Sequence, residues 1–261
     1  MGADPLLSVD GVAIGYSGPG GHVPAVADAG FTVGDGETVM LIGPSGCGKS
    51  TVLKAVAGFL TPSAGRIVFD GAEVRGPGPD RAVVFQELDQ LFPWRTVLGN
   101  VAYALRATGT PRDEARVRAT AQLELMGLGH ALDRHPHQLS GGMKQRVAIA
   151  RAFALEPRML LMDEPFGSLD AQTRGRLQRE LAGLARRTRV SILFVTHSID
   201  EAVLLGDRVA VLGGRPSTVV ETLDVAGLDR PDTEEFTAAR RRLRALLTDD
   251  DKEEVGHAVI D

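Results

Sequence analysis

Apolar and polar positions alternate loosely from Leu7 to Tyr16, and a Gly/Pro-rich stretch, Ser17 to Gly21, then interrupts them, which reads as a strand entering a turn. Phe31 to Val33 and Thr38 to Ile42 predict further strands. The second is a continuous apolar run, suited to a strand covered on both faces. Arg66 to Phe69, followed by Asp70-Gly71, has the form of a strand entering a hairpin.

From Thr96 to about Met126 the period becomes helical, with Val97, Val101 and Leu105 on one face. Thr110 with Asp113 three residues on, and Pro111 at the first helical position, predicts a second helix start, and that helix ends at Gly127 or Gly129. Another helix opens at Ser140, with Met143, Val147 and Ala150 on one side. After Pro157 strands and helices alternate: Met159 to Met162, a helix over 171–187, Ser191 to Val195, a helix opened by Ser198 and Glu201, then Arg208 to Leu212. Such alternation predicts a parallel sheet covered on both faces, with an all-helical segment inserted as a subdomain.

Composition narrows the class. With 261 residues, 43% hydrophobic and 24% charged, the chain has the balance of a globular protein able to bury a core, so disordered and fibrous classes are excluded. No apolar stretch approaches the roughly 20 residues of a bilayer span, and MGADPLLSVDG lacks a basic segment followed by an apolar one, so neither membrane insertion nor a secretory signal is expected. The one cysteine, Cys47, has no internal disulfide partner, which fits a reducing, cytoplasmic setting. The whole net charge of −5 belongs to residues 249–261, where six acids face Lys252, so residues 1–248 are formally neutral. This acidic tail reads as a solvated, mobile end, and the absence of a basic stripe disfavours nucleic acid as a partner.

Candidate chemistry begins at Gly43-Pro44-Ser45-Gly46-Cys47-Gly48-Lys49-Ser50-Thr51, which fits G-x-x-x-x-G-K-[ST] between an apolar strand and a helical pattern. Glycines let backbone N–H groups turn toward phosphate oxygens, and the following helix adds its positive end. Lys49 is then expected to reach the β- and γ-phosphates, and Ser50 to ligate Mg²⁺. The apolar strand ending in Asp163-Glu164 is by itself as compatible with a solvated acidic turn. Paired with the glycine loop, it predicts Asp163 near Mg²⁺ through water and Glu164 as the general base for attacking water. The chain has no Asn-Lys-x-Asp segment for guanine, its one asparagine, Asn100, being followed by Val101, so ATP is expected.

Leu139-Ser140-Gly141-Gly142-Met143-Lys144-Gln145-Arg146 resembles the signature of the ATP-binding cassette family. The other motifs of that family follow in order: Gln86 in Val83-Val84-Phe85-Gln86 resembles the Q-loop glutamine, Ser168-Leu169-Asp170 the D-loop, and His197 after Val195-Thr196 the switch histidine. Tyr16 stands where the family places an aromatic stacked on adenine, although an exposed loop tyrosine is the competing reading. The resemblance spans about residues 6–225 and implies an α/β fold: a P-loop NTPase (RecA-like) core with an N-terminal antiparallel β subdomain and an inserted α-helical signature subdomain. The implied boundaries are 1–86 with 158–225 for the core, 87–157 for the helical subdomain, and 226–261 for a C-terminal helix and acidic tail.

By the same resemblance, two copies sandwich two ATPs. Ser140 and Gly142 touch the γ-phosphate in trans, Gly141 belongs to the same cofactor-binding segment, Asp170 helps couple the two sites, Gln86 takes a share of the metal and of coupling, and His197 contacts the γ-phosphate. The region around Gly76-Pro77-Gly78-Pro79-Asp80-Arg81 and Leu91-Phe92-Pro93-Trp94-Arg95-Thr96-Val97 resembles the importer branch for nitrate, sulfonate, taurine, bicarbonate and some pyrimidine precursors. That branch implies two integral-membrane permease subunits, a solute-binding protein, and a peripheral place on the cytoplasmic membrane face. Phe92 and Trp94 then either receive a permease helix or pack inside the helical subdomain. A non-transport ATPase of the same family is the alternative. Lys49 and Ser140, however, lie only 91 positions apart and no sustained heptads lie between them, which leaves no room for the long coiled coil of repair and chromosome members. Arg240, Arg241, Arg242 and Arg244 read as a solvated face pairing with Glu234, Glu235 and the tail, and His135 and His137 lack partners at metal-ligand spacing.

Overall fold

The computed structural model describes residues 4–18 and 21–257. In chain order its elements are β1 (Leu7–Gly18), β2 (Gly21–Val33), β3 (Thr38–Ile42), α1 (Lys49–Val56), β4 (Ala64–Phe69), β5 (Ala72–Glu73), β6 (Arg81–Val84), α2 (Val97–Ala107), α3 (Arg112–Leu125), α4 (Gly141–Ala154), β7 (Met159–Asp163), α5 (Ala171–Thr188), β8 (Ser191–Val195), α6 (Ile199–Leu205), β9 (Arg208–Gly213), β10 (Ser217–Asp224) and α7 (Glu234–His257). They divide into two compact units: one holds the chain up to Pro77 together with the chain from Ser191 onward, the other Gly78–Val190.

In the first unit the strands lie in the order β5-β4-β1-β2-β10-β9-β3-β8. β1 pairs antiparallel with β2 and β4, while β9, β3 and β8 run parallel, with Met40 opposite both Phe194 and Val209. The continuous apolar runs of β3 and β8 are buried at nearly every position, as a parallel strand between covered faces requires. α1 packs on β2 and β8, and α7 lies against α6 and β9 through the buried Phe236 and Leu243.

The second unit holds the parallel pair β6–β7 and the mutually packed helices α2, α3 and α4, followed by α5. Short polar side chains start several of the helices. Thr96 Oγ1 accepts from the Gly99 amide at 3.0 Å, Ser140 Oγ from Met143 at 3.3 Å, and Asp170 Oδ1 from Thr173 at 3.0 Å.

Some elements depart from the sequence expectation. β2 starts at Gly21, well before Phe31, because Pro24, Asp28 and Gly30 mask a half-exposed strand that pairs with β1 through irregular register. β10 carries no apolar run, since alternate positions face solvent. α3 begins at Arg112 with Pro111 itself at the cap, one residue later than Thr110 and Pro111 predict. Arg240 pairs with Asp200 of α6 at 2.5 Å and Arg242 with Glu221 of β10, rather than with Glu234 and Glu235, while Arg241 and Arg244 are exposed. The acidic side chains from Asp249 onward, residues 258–261, and Pro19-Gly20 of the expected turn lie outside the described residues.

Candidate functional site

In the first unit the buried strand β3 ends at Ile42 and α1 begins at Lys49, so Gly43–Gly48 must reverse the chain in six residues. Gly46 (φ +79°) and Gly48 (φ +93°) take left-handed conformations that side chains disfavour. A Cβ on Gly48 would stand 2.8 Å from Val26 Cγ2, and one on Gly43 would stand 2.6 Å from the Leu212 carbonyl oxygen and 2.7 Å from Cys47 Sγ. The loop is therefore wedged between β2 and β9, with the Cys47 thiol buried beneath it.

Lys49 is only 6% exposed, and its ammonium donates to the carbonyls of Gly43 (2.9 Å) and Pro44 (2.8 Å). The next carbonyl, Ser45, accepts from Arg215 Nη2 at 2.8 Å. Three successive carbonyls thus face cations. No side chain caps α1 and its first turn holds no acid. Two neutral carbonyls do not neutralise a buried ammonium, and among the described residues no carboxylate pairs with it. Its third proton, the loop amides and the uncapped helix start form a donor set that fits an anion of phosphate type.

Tyr16, at the end of β1, is 46% exposed, and its hydroxyl lies 2.9 Å from Thr51 Oγ1, which ties an open aromatic ring to the first turn of α1. Ser50 is half-buried beside it. β8 runs parallel to β3 with Val195 opposite Leu41, and the Thr196 amide donates to the Leu41 carbonyl at 3.2 Å. His197 is exposed and so leaves the same sheet edge as the glycine loop, the edge where open α/β sheets bind ligands.

The second unit brings Gln86 and Glu164 together by the same logic. Val84 and Met162 are paired on β6 and β7, each site residue follows two positions later, and Gln86 Nε2 lies 3.4 Å from Glu164 Oε2. Glu164 has φ +42°, a strained backbone for a residue with a side chain and a common mark of a functional position. Asp163, the last residue of β7, is 8% exposed. A Cβ on Gly167 would stand at ordinary contact distance from the Glu164 carbonyl oxygen (3.4 Å) and from Gln86 Nε2 (3.5 Å), so Gly167 lies beside this pair.

Ser140 caps α4 with its oxygen, which leaves its O–H proton for an outside acceptor. Gly141 and Gly142 form the first turn, and a Cβ on Gly142 would stand 2.6 Å from Thr173 Cγ2. The start of α4 therefore touches the start of α5, which Asp170 caps. The Thr173 backbone N–H holds the Asp170 carboxyl below the usual range. His135 and His137 stack at 5.9 Å, and among the described residues no group of three or more His, Cys, Asp or Glu could hold a metal ion.

Residues 26–167, which include the glycine loop, the Ser140 segment and Asp163-Glu164, match the ABC transporter family. The chain belongs to that family. It is an ATP-binding cassette and an ATPase. The cassette is 43% identical over 244 residues to the taurine import ATP-binding protein TauB of Pseudomonas putida (94% of this chain, 90% of that one). It is 44% identical over 252 residues to the nitrate transport protein NasD of Klebsiella oxytoca (95% and 92%). Among solved structures it superposes with a TM-score of 0.75 and 29% identity on the dimeric post-hydrolysis state of the ATP-binding cassette MJ0796 bound to ADP and Pi, covering 85% of this chain and 99% of that one.

Two amides of the cassette escape sequence reading. Gln90 accepts from the Phe85 amide (3.2 Å) and donates to the Phe85 carbonyl (2.8 Å) and the Glu87 carbonyl (3.0 Å), clasping the backbone on both sides of Gln86. Arg151 of α4, its pKa lowered by burial, donates to the Gln90 carbonyl at 2.9 Å. Asn100, fully buried on α2, accepts from the Phe92 amide at 2.7 Å and donates to the carbonyls of Phe92 (3.2 Å), Arg95 (3.2 Å) and Thr96 (3.0 Å). It holds a loop in which Phe92 lies edge-on to Tyr103 at 4.9 Å while Trp94 is 71% exposed. What each amide holds is loop backbone, and no periodicity in the sequence reveals such a role.

Proposed function

We propose that this cassette powers an importer for a small anionic solute of the taurine, sulfonate or nitrate type. Two copies close on two ATPs and pull on two permease subunits, which a solute-binding protein supplies, from the cytoplasmic face of the membrane. The names of the relatives support the solute class and the direction. The observation that carries the reading is the buried, acid-free Lys49 in a loop of left-handed glycines, a donor set for polyphosphate. Among the described residues no helix is long and apolar enough to cross a membrane, so transport needs a separate spanning partner.

In this reading the loop amides and Lys49 bind the β- and γ-phosphates, and Tyr16 stacks on adenine. Mg²⁺, held by Ser50 and Gln86 and through water by Asp163, would neutralise phosphate charge. Glu164 takes a proton from the attacking water, and His197 donates to the γ-phosphate. Ser140, Gly141 and Gly142 offer their donors to the γ-phosphate of the second copy, and Asp170 couples the sites. The exposed Trp94, with Phe92 behind it, supplies an apolar knob for a permease helix, close in sequence to the clasped Gln86.

The test is native co-purification of a tagged Glu164→Gln chain from membranes gently solubilised with Mg-ATP. A multi-span permease eluting in stoichiometric amount is the expected result. Reproducible soluble or nucleic-acid partners, with nothing from the membrane, would leave the ATPase standing and overturn the importer.

A further inference from the structure

Arg215 sits in the turn between β9 and β10, far from the phosphate loop in sequence, yet its Nη2 donates to the Ser45 carbonyl at 2.8 Å. The same guanidinium nitrogen would lie 3.9 Å from a Cβ on Gly46, the loop residue at φ +79°. β9 is the neighbour of β3, with Ile42 opposite Val211, so the turn bearing Arg215 and the loop leave adjacent strands. Lys49 already holds the Gly43 and Pro44 carbonyls. Arg215 takes the third, at the tip where two glycines make the chain freest.

We propose that Arg215 is a positioning residue of the phosphate loop. By fixing the Ser45 carbonyl it holds the loop tip in its bound shape before nucleotide arrives, so less ordering is left to binding. The proposal rests on the reading that this loop binds nucleotide phosphates. Arg215 acts on the loop and not on the γ-phosphate, so its loss weakens ADP and ATP alike and leaves the hydrolytic step nearly unchanged.

The experiment compares the full-length wild type, Arg215→Ala, Arg215→Lys and Lys49→Ala by calorimetric titration with Mg-ADP and Mg-ATP and by steady-state ATPase assay. Arg215→Ala is expected to raise Kd for both nucleotides, and KM for ATP, by about fivefold, the scale of one solvent-screened, charge-assisted hydrogen bond. Its kcat should move by less than about twofold, and Arg215→Lys should recover at least half of the lost affinity. Arg215→Ala binding both nucleotides like wild type overturns the proposal alone. A loss confined to ATP overturns it in favour of direct γ-phosphate contact, and Arg215→Lys no better than Arg215→Ala removes the cation from the account. A wild type that binds neither nucleotide, or Lys49→Ala binding like wild type, overturns the phosphate reading and the proposal with it.

Discussion

The side-chain amide of Gln86 stands 3.4 Å from Glu164 Oε2, each residue two positions beyond a pair on the parallel strands β6 and β7. At that distance the contact is a weak one, and the Gln86 amide does not neutralise the carboxylate. Glu164→Gln keeps the shape and removes the base. Turnover should fall by about 100-fold or more, with ATP affinity retained and a closed dimer accumulating in Mg-ATP on size-exclusion chromatography. Turnover near wild type in this variant would remove Glu164 from the chemistry.

Lys49 is expected to trade stability for function. Its ammonium is buried against neutral carbonyls, so the nucleotide-free protein bears a desolvation cost that phosphate relieves. Lys49→Ala should abolish ATP turnover. Lys49→Met, which keeps the apolar stem, should lose turnover too, yet melt no lower than wild type without nucleotide. Calorimetric melts with and without Mg-ATP check both statements, and a Lys49→Met protein stabilised by ATP as strongly as wild type would refute the assignment.

How much of this was written in the sequence depends on the range over which each feature is determined. β3, β8 and the start of α4 were legible because a continuous apolar run or a cap residue is a local signal. The glycine loop was legible for the same reason, its strand, turn and helix being consecutive. β10 and the first part of β2 were not, because their burial is half-sided and supplied by distant strands. Arg215 and Ser45 are 170 positions apart, and no pattern announces that they meet. Gln90 and Asn100 act through amides that satisfy loop backbone, a role visible only once the loop has a shape.

Gln90 mimics a strand partner for Phe85, accepting and donating on one residue. Gln90→Ala frees the backbone beside Gln86 and should lower kcat by about tenfold with little change in ATP affinity. Gln90→Glu should not rescue it, since a carboxylate can accept from the Phe85 amide but has no proton for the Phe85 and Glu87 carbonyls. Steady-state kinetics on both variants decide this, and a fully active Gln90→Glu would show that the donor half of the clasp is dispensable.

Trp94 is the only tryptophan, so intrinsic fluorescence reports the loop that Asn100 holds. In the isolated cassette its emission should be that of a water-exposed indole and readily quenched by acrylamide. Asn100→Ala leaves several buried backbone groups without partners and should destabilise the fold by about 2–4 kcal/mol. On adding the permease, the emission should shift to the blue and quenching should fall. An unchanged spectrum in a complex that still hydrolyses ATP would take Trp94 out of the interface.

Asp170 sets a limit on what pH can do. Its carboxyl is held below the usual range first by the Thr173 backbone N–H, so the folded protein favours the charged form more than the unfolded chain does. A depressed folded pKa contributes stability that is complete above the unfolded value, about 3.9, and is lost as pH falls through the lower folded value. Asp170→Asn keeps a capping oxygen but loses the charge at the helix start. The urea midpoint of wild type should therefore exceed that of Asp170→Asn by a constant margin from about pH 8 to about pH 5, closing only below about pH 4. Since the group is ionised throughout the working range, the ATPase pH profile of Asp170→Asn should keep the wild-type shape. A margin that closes above about pH 6 would mean that Asp170 is not the capped, acid-shifted carboxylate seen at the start of α5.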